Sequence, residues 1–237
     1  MSGRVKRNTA VEKQTYVREN LGDGISVFVS PAHTFGTDAL ALAEFAHPKA
    51  GENACDMGTG CGIIPLVWCK HEAPKTVVGI DIQPACIDLC KLSIEKSGLS
   101  RRFWAVCADL RHIKNYFPGG SFDLVTMNPP YTAEGAGRQS ADPAKRTARS
   151  EAACTLSDIT NAASFLLRFG GRLCLCHRPE RLCEVLDAMR SVKIEPKRLR
   201  FVHARPDSAP SLFLVEGKRG ANPGLAVEKP YFPEARS

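Results

Sequence analysis

The run Asp56-Met57-Gly58-Thr59-Gly60-Cys61-Gly62 constrains this chain more than any other stretch. Glycines at alternate positions let the backbone turn tightly and approach a ligand that any Cβ would hold away. A strand-like segment near Asn53 to Asp56 precedes the loop. The apolar run IIPLVWCK follows it, with Pro65 tolerated only in the first turn of a helix. The unit is therefore strand, loop, helix. A dinucleotide-binding loop reads G-x-G-x-x-G, which would need a glycine at position 63, where this chain has Ile63. The spacing here, G-x-G-x-G with an acid two residues before the first glycine, suits a ligand with an amino-acid portion and no phosphate.

The pattern repeats downstream. TVVGIDI is a β-branched strand ending in acid, and PACIDLCKLSIEKSGL is a helix with Pro84 at its start and Gly98 at its end. RFWAVCADL and FDLVTMNPPY are further strands, each closing on polar residues. After Ala152 come a helix through Leu166, a Gly170-Gly171 turn, the strand RLCLCHR and the helix PERLCEVLDAMR. Strands alternating with helices imply a parallel sheet covered on both faces. Two last strand-like runs, KRLRFVHA and SLFLVEGK, flank a loop marked by Pro206, Asp207 and Pro210, so an antiparallel pair closes the sheet. Ahead of the glycine loop, residues 27–46 end in a short helix whose apolar positions are Leu40, Leu42, Ala43 and Phe45, with Thr37 or Asp38 as its N-cap. The expected organisation is a basic lead-in over 1–26 and a single domain over 27–237, with its core at 50–217. Residues 132–150 read as a long polar loop, a kind that is often functional in a compact domain.

Composition adds partners and compartment. No apolar run approaches the ~20 residues that span a bilayer, and the basic N-terminus lacks an apolar segment after it, so a cytoplasmic, membrane-free protein is expected, a monomer for preference. Ten cysteines are scattered without Cys-x-x-Cys spacing; Cys86 and Cys90, four apart, read as buried thiols, and no metal site is expected. The formal charge is +7, and from Arg168 to Arg205 ten Lys/Arg face four Asp/Glu, which suits an anionic partner.

Asp81 closes the strand 19 residues beyond Gly62, where a carboxylate can accept both hydroxyl protons of a ribose. Asp109 ends the next strand and could accept from an adenine amine or support its loop. Three acids at the carboxyl ends of consecutive strands lie where α/β sheets bind ligands. Asn128-Pro129-Pro130-Tyr131 comes one unit later. Two prolines remove two N–H donors and stiffen the turn, so the Asn128 amide and the Pro129 carbonyl are held as outward acceptors. An sp² amine presented to them frees its lone pair as it approaches tetrahedral geometry. Tyr131 offers a flat face on which a planar base can stack.

DMGTGCG, the acids of GIDI and CADL, and NPPY occur in the order and spacing of class I methyltransferases acting on exocyclic or amide nitrogens. More narrowly, HTFGTDALALAEFA before the loop, and NPPY followed by a basic loop with Ala148-Arg149-Ser150-Glu151, resemble the bacterial tRNA(Val) adenine-N6 methyltransferases. The resemblance implies a Rossmann-like α/β fold with a mostly parallel seven-stranded sheet, an antiparallel terminal hairpin and helices on both faces. It implies S-adenosyl-L-methionine as cofactor, held by Asp56, Gly58, Gly60, Gly62, Asp81 with Ile82, Asp109 with Leu110, and Asn128. Phe35, Thr37 and Asp38 would close over its methionine end. Asn128, Pro129, Pro130 and Tyr131 would hold an adenine of the tRNA anticodon loop, and Arg138, Lys145, Arg146 and Arg149 would contact RNA phosphates. Methylation of rRNA guanine, of DNA adenine or of a protein glutamine amide is the competing enzyme reading. A non-catalytic RNA-binding module is the competing reading from another class.

Overall fold

The computed structural model describes residues 16–71, 74–129 and 154–233. The first element is a hairpin of β1 (Val17–Gly22) and β2 (Ile25–Val29), which the sequence reading did not anticipate. Its turn, Gly22-Asp23-Gly24, has positive φ at all three residues, the requirement that Asp-Gly sequences meet at least cost. The hairpin docks on helix α3 (Pro84–Lys96) through two serines: the Phe28 N–H donates to Ser93 Oγ at 2.9 Å, and the Ser26 N–H to Ser97 Oγ at 3.0 Å.

The main sheet runs β10-β8-β9-β7-β6-β3-β4-β5. Its strands are β3 (Asn53–Met57), β4 (Thr76–Asp81), β5 (Phe103–Cys107), β6 (Phe122–Met127), β7 (Leu167–His177), β8 (Ile194–His203), β9 (Pro210–Arg219) and β10 (Ala226–Val227). β5, β4, β3, β6 and β7 are parallel neighbours, and β9 is antiparallel to both β7 and β8. This is the expected sheet with one addition, since two-residue β10 lies parallel to β8 and makes an eighth strand. Residues beyond it continue along the same edge: Glu228 N–H donates to Leu199 O, Tyr231 N–H to Phe201 O, and His203 N–H to Tyr231 O.

Period-two alternation splits the interior into two layers. Ala54, Leu124 and Cys174 face α1 (Thr37–Ala46), α2 (Ile63–Lys70) and α3, whereas Cys55, Val125 and Leu173 face α4 (Leu156–Leu166) and α5 (Leu182–Ser191). Among the described residues no helix is long and apolar enough to cross a membrane. Two local expectations are corrected. Gly36, not Thr37 or Asp38, is the N-cap of α1, and it makes no side-chain cap bond. Gly170-Gly171 is not a turn before the strand: β7 passes through both, and the extra residues are absorbed by a register shift against Phe122 and Leu124, with Gly170 at φ +78°.

A chain of ion pairs crosses β7, β9 and β8. Arg172 pairs with Glu52 and Glu216, Arg198 with Glu216 and Glu228, and Arg200 with Glu228. Arg198 also lies over the Phe45 ring, 4.5 Å from its centroid.

Candidate functional site

The glycines of the loop divide their work. Gly58, Gly60 and Gly62 all have positive φ, at +65°, +55° and +85°. A Cβ on Gly60 would project into open space, whereas one on Gly62 would lie 2.6 Å from Cys90 Sγ on α3. Gly60 thus leaves room above the loop, and Gly62 lets α2 begin against α3. Cys90 is the buried thiol expected at that position; burial pushes it, like Cys86, above the usual thiol range.

The loop is pinned from below. Thr59 N–H donates to Ile80 O at 2.9 Å, and the Thr59 side chain packs where a Cβ on Gly79 would stand. Asp81, the last residue of β4, is buried, with Oδ2 accepting from Gly60 N–H and Oδ1 from Gln83 N–H, both at 2.9 Å. Each carboxylate oxygen keeps a second lone pair. The acid therefore ties the loop to the start of α3 and can still accept.

Asp56 is fully enclosed on β3. Its Oδ1 accepts the Thr126 hydroxyl proton at 2.6 Å from β6, and burial raises its pKa to about 7 against this bond, with Asp81 adding to the rise. Thr126 was not singled out from the sequence, although a threonine inside the apolar FDLVTM was the available signal. Asp109 lies just past β5 and caps a short 3-10 helix, Leu110–Asn115, by accepting from Arg111 N–H at 2.9 Å. The Arg111 guanidinium also grips both carboxylate oxygens, and this lowers the Asp109 pKa. Of its two expected roles, the geometry favours supporting the loop.

Met57 pairs with Met127, so Gly58 and Asn128 leave adjacent strands at the same level of the carboxyl edge. Pro129 is buried and Asn128 half-buried. Ile82 follows Asp81 directly, and Leu110 is buried at the start of its 3-10 helix. Phe35 is half-buried against the core cluster that holds α1, and Thr37 and Asp38 open that helix. Pro130, Tyr131, Arg138, Lys145, Arg146 and Arg149 lie outside the described residues. A groove of about 710 Å³ between α1, α2 and Tyr231 contains none of the expected site residues. Among the described residues no cluster of three or more His, Cys, Asp or Glu could hold a metal.

A glycine loop, a strand-terminal acid and the Asn128-Pro129 turn share one sheet edge, and the model of the methyltransferase small domain matches residues 24–190. The chain belongs to that family. It is an S-adenosylmethionine-dependent methyltransferase. The methyltransferase is 27% identical over 187 residues to the tRNA1(Val) (adenine(37)-N6)-methyltransferase of Porphyromonas gingivalis, covering 76% of this chain and 72% of that one. Its fold matches the crystal structure of a predicted O-methyltransferase from Agrobacterium tumefaciens, with a TM-score of 0.66 and 22% identity over 82% of this chain and 86% of that one. It also matches a geranyl diphosphate C-methyltransferase from Streptomyces coelicolor in complex with S-adenosyl-L-homocysteine, with a TM-score of 0.57 and 14% identity over 77% of this chain and 80% of that one.

Proposed function

We propose that this methyltransferase transfers a methyl group to the exocyclic N6 amine of an adenine in a tRNA anticodon loop. The observation that carries the reading is the pairing of Met57 with Met127, which brings the Asn128-Pro129 turn beside the glycine loop. Asn128 Oδ1 and the Pro129 carbonyl are acceptors, the groups that a base amine needs as it becomes tetrahedral. The adenine and tRNA parts of the reading lean on the relative from Porphyromonas gingivalis and on the basic balance of the chain.

The residues present fit the cofactor. The open side of Gly60 accepts a group that a Cβ would exclude, and Asp81 offers acceptor lone pairs beside it. Gly58, Gly60, Asp81 and Asp56 would hold the cofactor, with Phe35, Thr37 and Asp38 closing over its amino-acid end. When bound, it supplies a sulfonium methyl to a nucleophile. The chain's own part is to hold the amine in line, exclude water and orient the lone pair. No strong base is required, because the amine becomes acidic only after attack and its proton leaves late. The target base must leave its stack to reach such a site, at least cost in a loop.

The test is methyl transfer from labelled cofactor to tRNA taken from cells that lack the protein, followed by nucleoside analysis. N6-methyladenosine in tRNA is the expected product. Label in rRNA, DNA or a protein glutamine instead would retain the enzyme and overturn the substrate. Asn128→Ala should abolish transfer while sparing cofactor binding; unchanged turnover would remove Asn128 from the acceptor site.

A further inference from the structure

The acceptor turn has a neighbour that the sequence reading passed over. β6 and β7 run parallel and in register from Leu124 opposite Arg172 to Met127 opposite Leu175. The next two residues of each strand, Asn128-Pro129 and Cys176-His177, therefore reach the carboxyl edge side by side. Leu175 faces the layer beneath α4 and α5, and His177, two residues on, shares that face. Its ring lies along that of Phe213, its cross-strand partner on β9, with centroids 6.4 Å apart and planes 22° apart. All six histidines are among the described residues, and only His177 is buried.

The ring is also oriented. Arg178 N–H donates to His177 Nδ1 at 2.8 Å, so a neutral ring carries its proton on Nε2 and presents a donor there. Burial favours that neutral form, as do the cations Arg181 and Arg178, while Glu184 and Glu180 oppose them; the net effect lowers the pKa. An imidazolium at this position would turn an N–H against the Arg178 N–H. It would also add a cation near a cofactor whose reactive centre is itself cationic.

We propose that His177 is a positioning residue for methyl transfer: its neutral imidazole, braced by the Arg178 amide and Phe213, sets the Asn128-Pro129 turn at the distance the amine requires. The proposal rests on the reading of that turn as the acceptor site. Acceptors for an in-line transfer must be held to within about 0.5 Å. A donor fixed on the adjoining strand end can impose that tolerance without touching the substrate.

Two variants separate packing from hydrogen bonding. His177→Phe keeps a ring on Phe213 and removes both nitrogens, and His177→Gln returns an N–H donor. Steady-state kinetics with tRNA from cells lacking the protein, calorimetry with S-adenosylmethionine, and thermal midpoints are read for each. For His177→Phe, kcat should fall by up to about 100-fold, with KM for tRNA and cofactor affinity little changed, and His177→Gln should recover part of the loss. In the unsubstituted enzyme at saturating cofactor, kcat should fall on the acid side with an apparent pKa below the ordinary histidine value of 6.5, and His177→Gln should lack that limb. Wild-type kcat in a folded His177→Phe, or an acid limb below pH 6.5 that is unchanged in His177→Gln, overturns the proposal, a limb near the Asp56 value of about 7 being expected in both. If Asn128→Ala, run alongside, retains turnover, the acceptor-site reading itself falls. If Asn128→Ala is inactive while His177→Phe matches the wild type, only the role of His177 falls.

Discussion

The Thr126 hydroxyl donates to the buried Asp56 carboxylate at 2.6 Å and so joins β6 to β3 from the inside. Asp56 lies two residues before Gly58, and Thr126 two residues before Asn128. One hydrogen bond thereby couples the strand that ends in the glycine loop to the strand that ends in the Asn128-Pro129 turn. The same pair sets a pH dependence.

Asp56 has an ordinary pKa of 3.8 in the unfolded chain and about 7 in the folded one. Between these values the folded state binds the extra proton, so stability falls as pH rises from about 4 to about 7 and is flat above. The change due to this group is about 4 kcal/mol. Asp56→Asn should flatten the corresponding part of a denaturation-against-pH curve.

Gly60→Ala and Gly62→Ala should fail in different ways. Both impose a Cβ on a left-handed residue, at a cost of roughly 1–2 kcal/mol. Only at Gly62 does the Cβ also strike a neighbour, Cys90 Sγ, at 2.6 Å. That overpacking adds about 1–3 kcal/mol. Gly62→Ala should lower the thermal midpoint more, and Gly60→Ala should lose more cofactor affinity; the reverse order would contradict the division of work within the loop.

Asp81→Ala leaves the Gly60 and Gln83 N–H groups without their acceptor. The expected stability loss is about 1–3 kcal/mol. Equilibrium dialysis with the cofactor should show a fall in affinity of at least about tenfold, an energetic loss within the usual range for a charge-accepted hydrogen bond.

Glu216 is nearly enclosed between Arg172 and Arg198. Glu216→Ala removes one of the two carboxylate partners of each arginine, leaving Glu52 to Arg172 and Glu228 to Arg198, and should cost about 1–3 kcal/mol in chemical denaturation. A loss below half a kilocalorie would mean that solvent already screens the network.

The alternation of apolar strands and helices was legible because burial on both faces of a parallel sheet demands it. Residue order alone therefore gave the parallel core and the antiparallel close. The N-terminal hairpin was missed, although Asp23-Gly24 advertised its turn, because Val17 to Val29 mixes polar and apolar residues and gains its burial only against α2 and α3. Gly170-Gly171 misled for a related reason: a glycine pair breaks a strand in isolation, but here it forms an irregularity between the Leu167 and Arg172 pairings with β6, and the strand resumes beyond it. The positions of Gly58, Gly60, Asp81 and Asn128 at or just past the carboxyl ends of β3, β4 and β6 were readable from spacing. The Asp109–Arg111 grip, the Thr126–Asp56 bond and the place of His177 were not, because each depends on side-chain direction or on strand neighbours that only the folded sheet defines.

The segment from Ala226 to Tyr231, with Glu228 held by Arg198 and Arg200, lies along the outer side of β8. An uncovered β8 would offer a row of unpaired amides and carbonyls to any passing strand. This short selvedge covers that row, so a version of the protein cut after Arg219 should self-associate as its concentration rises even while the carboxyl edge of the parallel strands stays intact.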